Sequence, residues 1–183
     1  MDTIYLIGQP GSGKTTLTKE FQKDWAKVNM YEKPFKYQEY EAPKLGKIYS
    51  LGWDREHFSG TDTLGNTVIT LMPEFYEDTK QDGAAIYGEG DRLASRTFFN
   101  LAREYGTLHL FYLNTDDATA AARREARSAE TGKTQNPSWA KGRATKHRNL
   151  AEEYGAIALP GGMAPSQITQ IMEDYLSYGK GNA

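Results

Sequence analysis

The sequence predicts a doubly wound α/β domain, and three observations carry that prediction. Apolar runs of strand length alternate with stretches of helical period along most of the chain. The strand-like runs are almost continuously apolar rather than alternating, which suits a parallel sheet buried on both faces. A glycine-rich bend joins the first such run to the first helical stretch, at the end of the strands where ligands bind in these folds. With 183 residues, 38% of them hydrophobic and 12% aromatic, the chain can bury one full core and is expected to form a single domain over residues 1–183.

The elements follow in order. Five strands are expected at Thr3–Ile7, Lys47–Leu51, Ala84–Tyr87, Leu108–Leu113 and Ala156–Leu159. Helices are expected at Lys14–Val28, Pro73–Asp82, Leu93–Tyr105, Asp117–Ala129, Trp139–Tyr154 and Pro165–Tyr178. Strands separated by helices imply right-handed crossovers. Residues 29–46 and 52–66 fit neither period and read as loops over the strand ends. The glycine-rich end, 179–183, is expected to fray.

Composition removes several function classes. A net charge of −2 gives no global attraction to nucleic acid or anionic membrane. The absence of cysteine excludes disulfides and thiolate-bound metals. His57, His109 and His147 have no metal-ligand spacing. No apolar run approaches the roughly 18 residues of a membrane span, and no basic leader precedes an apolar segment, so a cytoplasmic setting is expected. The oligomeric state is not fixed by anything in the sequence.

The bend itself reads Gly8-Gln9-Pro10-Gly11-Ser12-Gly13-Lys14-Thr15, followed by Thr16, and fits G-x-x-x-x-G-K-[ST]. Glycines let successive N–H groups turn inward and form an anion nest at a helix start. Lys14 then reaches the β- and γ-phosphates, and the Thr15 hydroxyl ligates Mg²⁺. The loop is expected to bind a nucleoside triphosphate such as ATP. That expectation is binding alone, because kinases, GTPases and mechanical ATPases share the device.

The third expected strand leads into Gly88-Glu89-Gly90-Asp91-Arg92. A carboxylate at the end of a strand beside the phosphate loop is where Mg²⁺ or its bound water needs one. Of Glu89 and Asp91, one is expected to accept the acceptor's proton and the other to hold the metal; the sequence leaves the division open. Arg92 is placed to meet acceptor or γ-phosphate charge. From Arg123 to Arg148 there are eight basic residues against two acidic ones. Arg123 and Arg127 share a helix face beside Arg124, while Arg143 and Lys146 follow a turn near 130–138. This stretch, about 123–148, reads as a lid over the triphosphate or as a grip on a nucleic-acid backbone that includes Trp139.

Two other readings fit parts of the sequence. Asp62–Gly65 fits the D-x-x-G of GTPases, and Asn114-Thr115-Asp116-Asp117 follows a strand as a guanine motif does. However, Thr115 replaces the usual lysine, and Asp116 and Asp117 are better read as helix N-caps. A non-kinase ATPase switch would share the phosphate loop and differ in yielding only free phosphate.

Taken together, the loop, the strand-end acids with Arg92, and the arginine helix resemble the nucleoside and nucleoside-monophosphate kinase group of P-loop proteins. The resemblance implies five parallel strands in the order 2-3-1-4-5, an arginine-bearing lid, and use of ATP with Mg²⁺. By the same resemblance, Asp91-Arg92 corresponds to the acid–arginine pair of thymidylate kinases, or Glu89 to the glutamate of deoxynucleoside kinases. Ser59–Leu64 and Glu89–Leu93 are similar to bacteriophage P-loop kinases that phosphorylate 5-hydroxymethyluracil within DNA. That similarity implies an acceptor nucleotide or hydroxymethylated DNA as partner. Thr61 and Asp62 would read the pyrimidine edge, and Trp53 or Phe58 would stack on the base.

Overall fold

All five expected strands form, and two that were not foreseen extend the sheet. The computed structural model describes residues 1–53, 60–132 and 134–180, the last three by backbone alone. Expectations placed on His57, Phe58, Ser59, Lys133 and residues 181–183 therefore lie outside the described residues. The chain runs β1 (Thr3–Ile7), α1 (Lys14–Phe21), β2 (Ala26–Tyr31), β3 (Tyr37–Ala42) and β4 (Gly46–Leu51). A 3-10 turn at Gly60–Thr63 precedes α2 (Val68–Thr79), β5 (Ala85–Glu89), α3 (Arg96–Tyr105) and β6 (Leu108–Asn114). The remaining elements are α4 (Asp117–Thr131), α5 (Pro137–Tyr154), β7 (Ile157–Pro160) and α6 (Pro165–Lys180).

The sheet order is β2-β3-β4-β5-β1-β6-β7. Strands β4, β5, β1, β6 and β7 are parallel and reproduce the order expected of the five foreseen strands. The sheet as a whole is mixed and seven-stranded, because β2 and β3 add antiparallel to the outside of β4. This corrects the loop expected at 29–46 and the helix expected to run to Val28. The helix stops at Phe21, and the chain turns through Trp25 N–H to Gln22 O at 3.0 Å. Strand β2 is exposed along almost its whole length, so it carries no apolar period to read.

Helix boundaries differ where caps decide them. Ser95 caps α3 by accepting from Phe98 N–H at 3.2 Å, two residues after the expected start. Helix α2 begins ahead of Pro73, with Val68 and Met72 buried beneath it. Asp116 does cap α4, its Oδ1 accepting from Thr119 N–H at 2.8 Å. Asn136 caps α5 and Pro137 occupies its first turn.

Alternate residues of β1 divide the core. Tyr5 and Ile7 face Phe75, Phe98, Phe99 and Leu150 of α2, α3 and α5. Ile4 and Leu6 face Leu17, Ile168 and Met172 of α1 and α6. Both sheet faces are thus covered, and the carboxyl ends of β1, β5 and β6 meet at one rim. Among the described residues no helix is long and apolar enough to cross a membrane.

Candidate active site

At that rim the loop after β1 is tied down from several sides. Gln9 Nε2 donates to Thr115 O at 2.7 Å and to Asp117 Oδ1 at 3.1 Å, while Thr115 Oγ1 donates to Ser12 O at 3.0 Å. Arg123 Nη1 donates to Ser12 O at 2.8 Å and Arg124 Nη1 to Pro10 O at 2.7 Å, so α4 already lies against the loop. Gly11 has φ +82°, and a Cβ there would come within 2.4 Å of Ala120 O in α4. Only glycine permits both that conformation and that approach.

Lys14 Nζ donates to Gly8 O at 2.7 Å and Gln9 O at 3.2 Å. Burial pulls its pKa down, and the carboxylates of Glu89, Asp62 and Asp91 oppose that shift. Ser12 Oγ is buried and has no hydrogen-bond partner among the described residues.

A cleft of about 600 Å³ opens beside the loop. Gly8, Pro10, Gly11, Gly13, Lys14, Thr15 and Thr16 line one side of it. Asp62, Glu89, Asp91 and Arg92 line another, and Arg123, Arg127 and Arg143 reach it from α4 and α5. Most of the residues expected at the site are therefore brought together. Five are not on its wall: Ser12 is buried within the loop, Thr61 is fully buried, and Trp53, Arg124 and Lys146 contact other groups.

Strand-end residues are positioned by a buried scaffold that sequence reasoning had assigned to substrate. Thr61 is 0% exposed, and its hydroxyl donates to Glu89 O at 2.8 Å while pairing with Tyr5 Oη at 2.9 Å. It is thus a support beneath β5, with its hydroxyl engaged by Glu89 and Tyr5. Asp62 Oδ1 accepts the N–H groups of Asp91 and Arg92, each at 2.9 Å, and so shapes the acidic turn from below. Tyr5 Oη also donates to Gly90 O at 3.1 Å, and burial raises the Tyr5 pKa well above that of an ordinary phenol. Gly88 faces the core, where a Cβ would strike the Tyr5 ring at 2.6 Å. Arg92 hydrogen-bonds Asn66 Oδ1. Trp53 lies under Lys36, 4.2 Å from Nζ to the ring centroid, and donates its backbone N–H to Thr63 Oγ1.

Asp91 is the electrostatic centre of the rim. Its Oδ1 meets Lys146 Nζ and His147 Nε2, each at 2.9 Å, and its Oδ2 meets Arg143 Nη1 at 2.8 Å. Burial alone would raise the carboxyl's pKa, but the hydrogen bonds and charges of His147 and Lys146 hold it well below the usual carboxylate range. Metal coordination, one of the two roles open to Asp91, would set a further cation against this cluster. Glu89 sits at the cleft only 3% exposed.

His147 was not singled out from the sequence. It is 1% exposed and contacts both Asp91 and Gly8. Its signal lay in spacing: Trp139, Arg143 and His147 are four apart and all line the cleft from one face of α5. Trp139 is 43% exposed there, with the Arg143 guanidinium 5.7 Å from its ring centroid.

The arrangement can hold a polyanion. Lys14, Arg92, Arg123, Arg127 and Arg143 surround a loop whose N–H groups open a helix N-terminus toward the same cleft. Among the described residues no cluster of three or more acidic, histidine or cysteine side chains forms a metal cage. Thr15 and a cleft carboxylate could complete the shell of a Mg²⁺ ion carried by phosphate.

Comparison with known proteins agrees with this geometry. No curated protein matches the sequence. A gluconokinase from Sinorhizobium meliloti 1021 superposes with a TM-score of 0.54 at 13% identity, over 98% of this chain and 95% of that one. Shikimate kinase from Aquifex aeolicus gives 0.51 at 15% identity, covering 99% of both chains. Deoxyadenosine kinase from M. mycoides with bound dATP gives 0.51 at 12% identity, over 95% of this chain and 98% of that one. At such identities the likeness establishes the fold alone. The sequence itself matches the family described as P-loop Nucleotide Kinase3 over residues 1–177. With that match spanning nearly the whole chain, the protein belongs to the P-loop nucleotide kinase 3 family and is a P-loop kinase, a phosphotransferase.

Proposed function

We propose that the protein transfers the γ-phosphoryl group of ATP, with Mg²⁺, to a nucleotide or modified pyrimidine, most specifically 5-hydroxymethyluracil within DNA. One observation carries the reading: phosphate loop, strand-end acids and arginines of two helices converge on one open cleft whose rim bears an exposed indole. An acceptor with both a base and phosphate charge suits a rim of Trp139, Arg92, Arg127 and Arg143. Bound Mg²⁺ supplies charge neutralisation between the β- and γ-phosphates, with Thr15 and a carboxylate as its protein partners.

The residues divide the work as follows. The loop N–H groups and Lys14 hold the triphosphate tail. Glu89 takes the proton from the acceptor hydroxyl as its oxygen attacks phosphorus. Arg123 and Arg127 meet the charge on the transferred group, and α5 excludes water from it. Asp91 holds α5 in place.

The test supplies γ-labelled ATP with a panel of free deoxynucleoside monophosphates, unmodified DNA and hydroxymethylated DNA. Label on hydroxymethylated DNA is expected. Label on free monophosphates would replace the specific acceptor with its runner-up, a monophosphate kinase. Label only in inorganic phosphate would sink the transferase reading.

A further inference from the structure

We infer that His147 is a positioning residue: it keeps the Gly8 carbonyl hydrogen-bonded so that Lys14 can leave that carbonyl for the triphosphate. The inference rests on the nucleotide-binding reading of the loop and adds a residue to it. Gly8 O accepts from two donors, Lys14 Nζ at 2.7 Å and His147 Nδ1 at 2.6 Å. Lys14 Nζ is also 3.2 Å from Gln9 O, so in this structure its ammonium lies on the loop's own backbone. To compensate phosphate charge it must turn away from both carbonyls.

Gly8 is buried, and a buried carbonyl stripped of its donor carries a desolvation penalty. His147 removes that penalty, because it reaches the same oxygen from α5 and stays there when Lys14, on α1, departs. The ring is held for the task at its far nitrogen, 2.9 Å from Asp91 Oδ1, and it is 1% exposed. The Asp91 carboxylate can only accept, so the Nε2 contact needs a proton there, and the 2.6 Å contact to Gly8 O needs a second on Nδ1; the ring donates from both nitrogens, and the Gly8 N–H, 3.2 Å from Nδ1, is then not bonded to it. Asp91 is in turn shaped by Asp62 through its backbone N–H. The loop's first glycine and the strand-end acid are thereby linked through one imidazole.

Two amide substitutions separate the ring's two contacts. In His147→Asn the side-chain NH₂ stands at the Nδ1 position and reaches Gly8 O, losing Asp91. In His147→Gln it stands at the Nε2 position and reaches Asp91, losing Gly8 O. Binding of Mg²⁺ with the β,γ-imido analogue of ATP is measured by calorimetry, beside thermal melting of each variant. The expected result is a loss of about five- to tenfold in affinity for the Gln variant, with affinity in the Asn variant within about threefold of wild type. The Gln variant, which keeps the Asp91 contact, should melt no lower than the Asn variant. Equal affinity of wild type and Gln variant overturns the inference alone, as does an affinity loss that follows melting temperature across both variants. Should the Gln variant not fold, a tenfold loss in the Asn variant despite its Gly8 contact overturns it equally. Failure of the wild type to bind the analogue overturns the kinase reading, and this inference with it.

Discussion

Replacing Asp91 with Asn tests whether the carboxylate is the anchor of α5. In the wild type it takes three contacts of 2.8–2.9 Å from Arg143, Lys146 and His147. The Asn oxygen can still face Lys146 and His147, but its NH₂ points hydrogens at the Arg143 guanidinium. Hydrogen bonds to charged groups contribute about 1.5–3 kcal/mol each. The Asp91 side chain is 24% exposed, so solvent screening removes part of that sum. A net cost of about 2–3 kcal/mol remains. For a chain of this size, at about 2–4 °C per kcal/mol, the melting temperature should fall by about 5–10 °C near neutral pH.

The pH dependence carries a definite sign. The folded-state carboxyl sits below its ordinary value, so its stabilisation is complete above the unfolded value of about 4 and is lost as pH falls below it. The gap between wild type and Asp91→Asn should therefore narrow on acidification from about pH 5 to pH 3. Thermal melts followed by circular dichroism across that range supply the assay, with Arg143→Met closing a double-mutant cycle. Coupling of about 1 kcal/mol or more is expected between positions 91 and 143. Equal melting temperatures at neutrality, or a gap that widens in acid, would refute the reasoning.

Three further outcomes are expected from the cleft. Lys14→Ala should cut phosphoryl transfer by at least about a hundredfold with the circular dichroism spectrum unchanged, because it removes the loop's one cationic side chain; retained transfer would contradict the role given to the loop. Glu89→Gln should lower kcat by about a hundredfold or more while leaving affinity for the ATP analogue within about threefold, and a collapse of analogue binding would move Glu89 from proton acceptor to metal partner. Arg127→Ala should slow transfer to free nucleotides and DNA alike; a change confined to salt-dependent DNA affinity would make α4 a backbone grip instead of a lid.

The parallel core and the phosphate loop were legible because their signals are local. Continuous apolar runs such as Thr3–Ile7 mark buried strands, and the loop's glycines and lysine are fixed by neighbours in sequence. Strands β2 and β3 were not, since β2 is exposed along almost its whole length, β3 sets buried Tyr37 and Ala42 among Gln38, Glu39 and Glu41, and both pair beyond β4. The supporting contacts of Thr61 and Asp62 are hidden from sequence for a similar reason: their partners lie 28 to 30 residues away, on Glu89, Asp91 and Arg92. His147 looked isolated because its contact to Gly8 spans 139 residues. Chemistry carried by a short motif is readable from sequence; chemistry assembled by tertiary hydrogen bonds is not.

The β2–β3 hairpin changes the standing of β4. Flanked by β3 and β5, it is an interior strand, and it hands the chain to Gly52 and Trp53, whose neighbours are Gly60 and Thr63. The connection from position 53 to position 60 thus springs from a clamped root and returns to a buried one at Thr61. A change at the outer edge of the sheet therefore meets β2 and β3 first, and reaches the Gly52–Trp53 end of β4 only through them.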